Sequence, residues 1–297
     1  MNFYIERFKD IETKEFEVEV VTPFFLGGAD RNKAELRVPS IKGALRFWWR
    51  AIYAHLSLDK LREKEAEIFG DAGDRSGKSK IRIKIDNALS YNGRDRENPV
   101  PHKKVSFAFP CFNPGEKFSL RIYGNEKSFE LFKLVSILGG LGKRSRRGFG
   151  SFKINKIDGQ KFGPISSIKE IRILLESISQ NKFKIEREKI IRTGEVHSQA
   201  DYAYIRSIEV GSELYDSYKE ILKMIGQSSH DNKSDYTGYA RRQERFSSPI
   251  YVSVVKTGDK YRPIITTLNM AFKNRNENHG NDKSSSFKND ILSGGLR

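Results

Sequence analysis

Residues 139–150 read Gly-Gly-Leu-Gly-Lys-Arg-Ser-Arg-Arg-Gly-Phe-Gly, five glycines and four cations in twelve positions. Glycine permits positive φ and brings main-chain N–H groups close to a ligand. Four neighbouring cations, Lys143, Arg144, Arg146 and Arg147, make a positive surface suited to several phosphates at once. From Leu131 to Ile157 the chain has no acidic residue, while Lys133, Lys153 and Lys156 add further charge. A solvated turn ordinarily mixes both signs, so the pattern assigns this loop to phosphate-backbone binding.

A second basic surface lies further upstream. A helix is expected to begin after Pro39-Ser40, with Ser40 as N-cap, and to run to about Leu56. At about 100° per residue, Ile41, Leu45, Trp48 and Ile52 share one face and Lys42, Arg46, Trp49, Arg50 and Tyr53 the opposite one. The first set reads as core. The second is a basic stripe carrying two aromatics, a combination that grips phosphates while stacking on bases.

Other motifs carry less chemistry. Ala72-Gly73-Asp74-Arg75-Ser76-Gly77-Lys78-Ser79 fits a relaxed phosphate-loop pattern. A true phosphate loop follows a strand and opens a helix, whereas here a helical Glu63–Phe69 precedes and an alternating Ile81–Ile85 follows, so a flexible loop is the better reading. Arg147-Gly148-Phe149-Gly150 begins like the RNA-recognition-motif signature but departs at Ser151 and at Ile154, which removes its stacking platforms. His55, His102, His197, His230 and His279 show no metal-ligand spacing. His55 falls on the apolar side of its helix and reads as a packed histidine, and His102 precedes Lys103-Lys104 in a basic loop. The single Cys111 excludes an internal disulfide and any multi-cysteine zinc site. No metal or cofactor is implied.

With 54 Lys+Arg against 38 Asp+Glu, the net charge is +16, the footprint of a protein that meets a polyanion. No run of 18 apolar residues occurs and the first ten residues lack an apolar signal core, so a cytoplasmic protein is expected. The 297 residues accommodate two domains.

The elements that must position these residues follow from periodicity. Phe16, Val18 and Val20 alternate with glutamates, and Ile81, Ile83 and Ile85 alternate with polar residues, as strands with one solvated face do. Val105, Phe107 and Phe109 form a third row, Phe118, Leu120 and Ile122 a fourth, and Phe152 and Ile154 a fifth. A helix over about Glu126–Leu138 ends at Gly139-Gly140. Strand, helix, strands, helix, strand is the order of a ferredoxin-like α+β sandwich. In the second half Ser167 and Glu170 form a capping box before Ile171, Leu174, Leu175 and Ile178. Leu214, Tyr218, Ile221, Leu222 and Ile225 mark another helix closed by Gly226, and Ile250–Val254 turns at Thr257-Gly258-Asp259 toward Ile264–Leu268. Residues 272–290, rich in Asn, Lys, Asp and Ser, read as mobile.

Val21-Thr22-Pro23-Phe24-Phe25-Leu26-Gly27-Gly28, then Leu36-Arg37-Val38-Pro39-Ser40-Ile41-Lys42-Gly43-Ala44-Leu45-Arg46-Phe47-Trp48-Trp49-Arg50, then the Gly-Arg loop, resemble the RAMP superfamily of CRISPR-associated proteins. The pairing is most similar to the first-numbered subunits of Cmr, or type III-B, RNA-silencing complexes. The resemblance covers roughly the first half; in the second only Arg241-Arg242-Gln243-Glu244-Arg245-Phe246-Ser247-Ser248-Pro249-Ile250 resembles the family. It implies an α+β protein of two ferredoxin-like (RRM-like) domains in tandem, the second degenerate. The domains would span 1–160, with the Gly/Arg loop, and 161–297, with a basic loop and a mobile polar C-terminal segment. It also implies a non-catalytic subunit near the 3′ part of the guide, with guide RNA, target RNA and other Cmr subunits as partners. Carried over by position, Lys42, Arg46, Arg50, Lys143, Arg144, Arg146 and Arg147, with Arg241, Arg242 and Arg245, become RNA contacts.

The residues themselves lead to a single-stranded RNA binder, the helix stripe and the loop forming one groove. Two alternatives stay open: a metal-independent endoribonuclease of the repeat-processing RAMP type, and a scaffold whose basic surfaces dock on an acidic protein.

Overall fold

The computed structural model describes residues 11–71, 77–179, 182–198, 201–241, 244–270 and 280–294. The first half runs β1 (Glu12–Val20), α1 (Val38–Ile52), α2 (Leu58–Phe69), β2 (Arg82–Asn87), the short β3 (Arg96–Glu97) and β4 (Phe109–Pro110), β5 (Lys117–Gly124), α3 (Glu126–Leu138), β6 (Phe152–Ile157) and β7 (Gln160–Lys161). The second runs α4 (Ile168–Ser179), β8 (Phe183–Glu186), β9 (Lys189–Arg192), β10 (Ile205–Val210), α5 (Tyr218–Asp231), β11 (Tyr239–Arg241), β12 (Glu244–Phe246), β13 (Ile250–Thr257), β14 (Lys260–Leu268) and α6 (Ser284–Leu292).

Each half builds a five-stranded antiparallel sheet. The first has the order β2-β5-β1-β6-β7, so β5 lies between β1 and β2 as in a split β-α-β unit. The second has the order β13-β14-β10-β9-β8. Helices α1, α3 and α4 fill the space between the sheets. Phe16 and Leu120 of the first sheet, Trp48 and Leu134 of the helices, and Ile208 and Leu268 of the second sheet belong to one continuous core. The outer face of the second sheet is covered by α5 and α6, where Ile221, Ile225, Phe287 and Ile291 pack on Val252, Val254 and Ile265.

This layering explains which sequence patterns were plain and which were not. β5 has one solvated face, and its buried and less buried residues alternate along its length. β13 is covered on both faces, and Ile250 through Val255 are all buried, an apolar run without alternation. Helix α3 lies between two sheets, so Phe129, Phe132 and Ile137 are buried along with the expected Leu131, Leu134, Val135 and Leu138.

Several expectations stand. Helix α3 spans Glu126–Leu138 and ends at Gly139, and the structure adds a cap, Asn125, whose side chain accepts from the Ser128 N–H. The Ser167–Glu170 capping box is present: the Glu170 N–H donates to Ser167 Oγ at 3.2 Å, and the Ser167 N–H donates to the Glu170 carboxylate at 3.0 Å. The hairpin β13–β14 turns at Thr257 and Lys260.

Others are corrected. Helix α1 starts at Val38, with Arg37 in the N-cap position and no side-chain cap. Ser40 lies inside the first turn because Pro39, whose φ suits a helix start and whose missing N–H costs nothing there, already belongs to the helix. The helix ends at Ile52, so His55 lies beyond it. The row Val105–Phe109 is not a strand; only Phe109–Pro110 pairs, with Arg96–Glu97. Gly226 does not close α5, which continues to Asp231. A Cβ at Gly226 would come within 2.4 Å of His102 Nδ1, so the glycine admits a ring from another loop rather than ending the helix. Residues 284–292, expected to be mobile, form α6, because its Phe287 and Ile291 are enough to dock it on β14 and α5. The remainder of that stretch through 279 lies outside the described residues, as do 72–76 of the relaxed phosphate-loop match.

Gly148 ties the halves together. It sits at φ +80°, and a Cβ there would meet Ile225 and Leu222 of α5 at 2.9 Å. Gly148→Ala therefore combines a left-handed alanine with overpacking and is expected to lower unfolding free energy by roughly 2–5 kcal/mol, read as a fall in the urea midpoint at unchanged slope.

Candidate nucleic-acid interface

The glycine-rich loop between α3 and β6 folds inward rather than outward. The N–H groups of Leu141, Lys143, Arg147, Gly148 and Gly150, five of them, donate to the carbonyls of Gly150, Phe25, Arg144, Val252 and Pro23. Val252 in turn donates to Arg146 O at 3.2 Å, so residues 146–148 lie as a parallel bridge along the free edge of β13. The glycines thus serve close main-chain packing, and these five amides are spent within the protein.

The loop's four cations divide into two pairs. Arg147 donates to Thr237 O at 2.8 Å and Ile250 O at 3.3 Å and lies over the Phe287 ring at 5.1 Å. Burial, with smaller repulsion from Arg144 and Arg146, pushes its guanidinium down to about 10, still charged at neutral pH. Arg146 donates to Ser248 O and lies over Phe47 of α1 at 5.6 Å. Both therefore hold the second sheet. Lys143 and Arg144 are exposed, with Lys143 Nζ 5.3 Å from the Phe109 ring centre and Arg144 6.0 Å from that of Phe149.

The stripe on α1 is likewise engaged. Glu65 of α2 is buried and accepts from both Arg46 and Arg50 at 2.6 Å, while Lys42 donates to Ser79 Oγ at 2.8 Å. Trp49, expected in water, is only 5% exposed and packs edge-on against Phe69 of α2. Tyr53 is half-buried, stacks on Trp49 at 4.8 Å and donates to Ile178 O at 3.2 Å. The correction has two causes: α2 follows α1 directly and covers Trp49, Arg46 and Arg50, while α4 and Tyr202 meet Tyr53. Arg46 and Arg50 retain part of their exposure (side chains 42% and 36%), so the stripe offers charge without an aromatic surface. The contact of Arg146 on Phe47 sets the loop beside α1, yet the two basic surfaces are separately paired rather than merged.

What the loop does open on is a cavity of about 370 Å³ between Arg144 and Arg147, the 100–103 turn, α5 and the β11–β12 hairpin. Lys103 and Lys233 are exposed at it; none of its lining residues is a carboxylate, although Asp231 pairs with the lining His230 at 3.2 Å. His102 and His230 face each other there with ring centres 5.8 Å apart; burial, aided by Lys103, lowers the pKa of His102 and keeps it neutral near pH 7. Among the described residues no carboxylate pairs with Lys103, Lys143, Arg144 or Lys233, and no group of three or more His, Cys, Asp and Glu could hold a metal. Sequence reasoning missed Lys103, Lys233 and His230 because they converge from a turn and a helix far apart in the chain. Of the weaker candidates, Arg245 is exposed on β12, Arg241 is placed by its backbone in β11, and Arg242 lies outside the described residues.

The RAMP superfamily matches residues 17–153, from within β1 through the Gly-Arg loop to the first residues of β6. This chain carries a RAMP superfamily domain. It is 26% identical to the CRISPR system Cmr subunit Cmr1-1 of Pyrococcus furiosus, over 87% of this chain and 88% of that relative. It is also 26% identical to Cmr1-2 of the same organism, over 48% of this chain and 95% of the relative. The crystal structure of apo Cmr1 from Pyrococcus furiosus superposes with a TM-score of 0.60 at 22% identity, over 94% of this chain and 96% of that one. A chain of the type III-B Cmr-beta complex bound to cognate target RNA gives a TM-score of 0.57 at 12% identity, over 86% and 94%. The shared fold thus includes the second half, beyond the span of the family match.

Arg147 and Arg144 are expected to separate structure from binding. Arg147→Ala strips the partner from two carbonyls and should cost roughly 2–4 kcal/mol of stability, whereas Arg144→Ala should change stability by less than about 0.5 kcal/mol. Thermal unfolding of the two variants side by side checks this.

Proposed function

We propose that this chain is a non-catalytic, single-stranded RNA-binding subunit of a type III-B (Cmr) RNA-silencing complex, holding guide or target RNA through its phosphates. The observation that carries the reading is the cavity beside the Gly-Arg loop, where Lys103, Arg144 and Lys233 converge from three separate elements without a carboxylate among them. Phosphodiesters satisfy such a cluster, and a chain with a net charge of +16 approaches them over long range. Similarity to Cmr subunits supports the setting in such a complex, and to it we add, as part of the proposal, neighbouring subunits and a place near the 3′ part of the guide.

We take the chain as two ferredoxin-like domains, 1–160 and 161–297, the second degenerate; the split order β2-β5-β1-β6 of the first sheet supports this for the first. Within the contact set, Lys143 and Arg144 touch RNA directly, joined by Lys42, Arg46 and Arg50 along α1, by Arg241 of β11 and Arg245 of β12, and by Arg242, which lies outside the described residues. Arg146 and Arg147 present the loop, and Trp49 and Tyr53 support α1 from behind. No helix among the described residues is long and apolar enough to cross a membrane, in keeping with work in the cytoplasm.

One observation favours a second reading. His102 and His230 lie together in the cavity, and a neutral imidazole beside cations is the equipment of metal-independent RNA cleavage. The same experiment addresses both. In EDTA, end-labelled single-stranded RNA should be retarded on native gels and remain intact on denaturing gels. Each of Lys103→Ala, Arg144→Ala and Lys233→Ala should weaken binding for all sequences alike and flatten the log–log salt slope by about 0.7–1. Shortened RNA that survives in EDTA and disappears with His102→Ala would give the nuclease reading first place.

A further inference from the structure

The α1 stripe keeps no fully open aromatic, with Trp49 buried and Tyr53 half-buried, and the loop leading into β4 supplies one. Phe107 is 49% exposed, the one phenylalanine among the described residues left so open to water. It is not a frayed side chain. Its ring lies 5.8 Å from Phe109, tilted by 39°, and Phe109 packs edge-on against Phe25 at 5.6 Å, part of a buried cluster with Cys111, Phe149 and Leu222. One face of Phe107 is thus braced from behind while the other meets solvent.

The surroundings of that ring are cationic. Lys103 and Lys104 are exposed on the same loop, and Lys143 stands over Phe109 from across the gap. The next residue, Arg144, and Lys103 also line the cavity that carries the proposed phosphate contacts. Phosphate-binding charge and an open ring therefore adjoin through two separate pieces of chain. Each feature alone is ordinary; a polymer that presents anionic groups and exposed π faces side by side is single-stranded nucleic acid. An acidic peptide would satisfy the cations and leave the ring unused, and an apolar partner would have to bury the lysines.

We propose that Phe107 is the base-stacking platform of this protein, receiving an unstacked RNA base while the adjoining phosphate lies among Lys103, Lys143 and Arg144. This rests on the RNA-binding reading above and adds to it the element that contacts a base. Because every base has a π face, the contact confers a preference for single strands over duplex and little sequence preference.

The test uses the full chain with a fluorescein-labelled oligouridylate, an abasic oligoribose-phosphate of the same length, and an oligomer carrying 2-aminopurine. Phe107→Ala should weaken oligouridylate binding by about 5- to 100-fold and leave the salt slope unchanged. Phe107→Tyr should restore affinity, and the alanine variant should bind the abasic strand as well as the wild type does. Stacking should quench 2-aminopurine with the wild type and not with Phe107→Ala. Thermal unfolding of Phe107→Ala matching the wild type makes the comparison one of binding, and Phe107→Leu, which keeps the bulk without the π face, should resemble the alanine variant. Wild-type binding that Phe107→Ala leaves untouched, or an equal loss on the abasic strand, overturns the platform and spares the RNA-binding reading. Absence of wild-type binding to either strand overturns both.

Discussion

The docking of the Gly-Arg loop on the edge of β13 is the constraint around which the rest of the molecule is arranged. An edge strand presents unpaired N–H and C=O groups, and here residues 146–148 occupy part of that edge through Gly148 N–H to Val252 O and Val252 N–H to Arg146 O. Thr22 and Ser151 fasten the same turn, both donating their hydroxyls to Gly148 O, while Ser151 Oγ accepts from the Val254 N–H. The loop thereby belongs to both sheets, and α3, from whose end it leaves, is held between them. Were the loop free, β13 would lose its cover and the helical layer its second wall.

That arrangement changes what the cations mean. A row of arginines on a glycine loop reads as a ligand-facing surface, but a guanidinium has five N–H donors and is well suited to bind several carbonyls at once. Arg146 and Arg147 spend theirs on Ser248, Ile250 and Thr237. Arg192 does the same elsewhere, donating to Ile205 O and to the last carbonyls of α1 at Ala51 and Ile52, which joins the second half to the first at the negative end of a helix. At the loop and its cavity, Lys103, Lys143, Arg144 and Lys233 are the cations left exposed. A long-range field draws on every cation of the chain, whereas close contact with any ligand is open only to those not already bonded to carbonyls.

The division of labour also explains the layered core. Two sheets with helices between them bury α3 on nearly every side and β13 on both faces, and such elements lose the amphipathic periodicity that makes a helix or strand readable. Rigidity is the return. A cavity built from a turn, a loop, a helix and a hairpin keeps its shape only if the elements behind it cannot shift, and the 139–150 loop connects three of them.

Much was legible in the sequence for identifiable reasons. The strands around Phe16–Val20 and Phe118–Ile122, the helix from Glu126 to Leu138 and the Ser167 capping box are local devices, set by alternation, by 3.6-residue spacing and by side chains that bond to nearby backbone. The two motifs that resemble the RAMP superfamily are also contiguous stretches. Local order could not show that α2 folds back over Trp49, or that Tyr53 meets α4 at Ile178, since Glu65 and its partners Arg46 and Arg50 are separated by a turn. Nor could it show that Phe287 and Ile291 would find a hydrophobic face and turn a polar tail into α6. The chain by itself determined where most strands and helices of its first half lie, that it would carry a large positive charge, and which loop would hold the densest part of it. Only the tertiary structure decided which of those charges face inward, because a buried carbonyl left unpaired is costly and the nearest guanidinium is drawn to it before any ligand arrives.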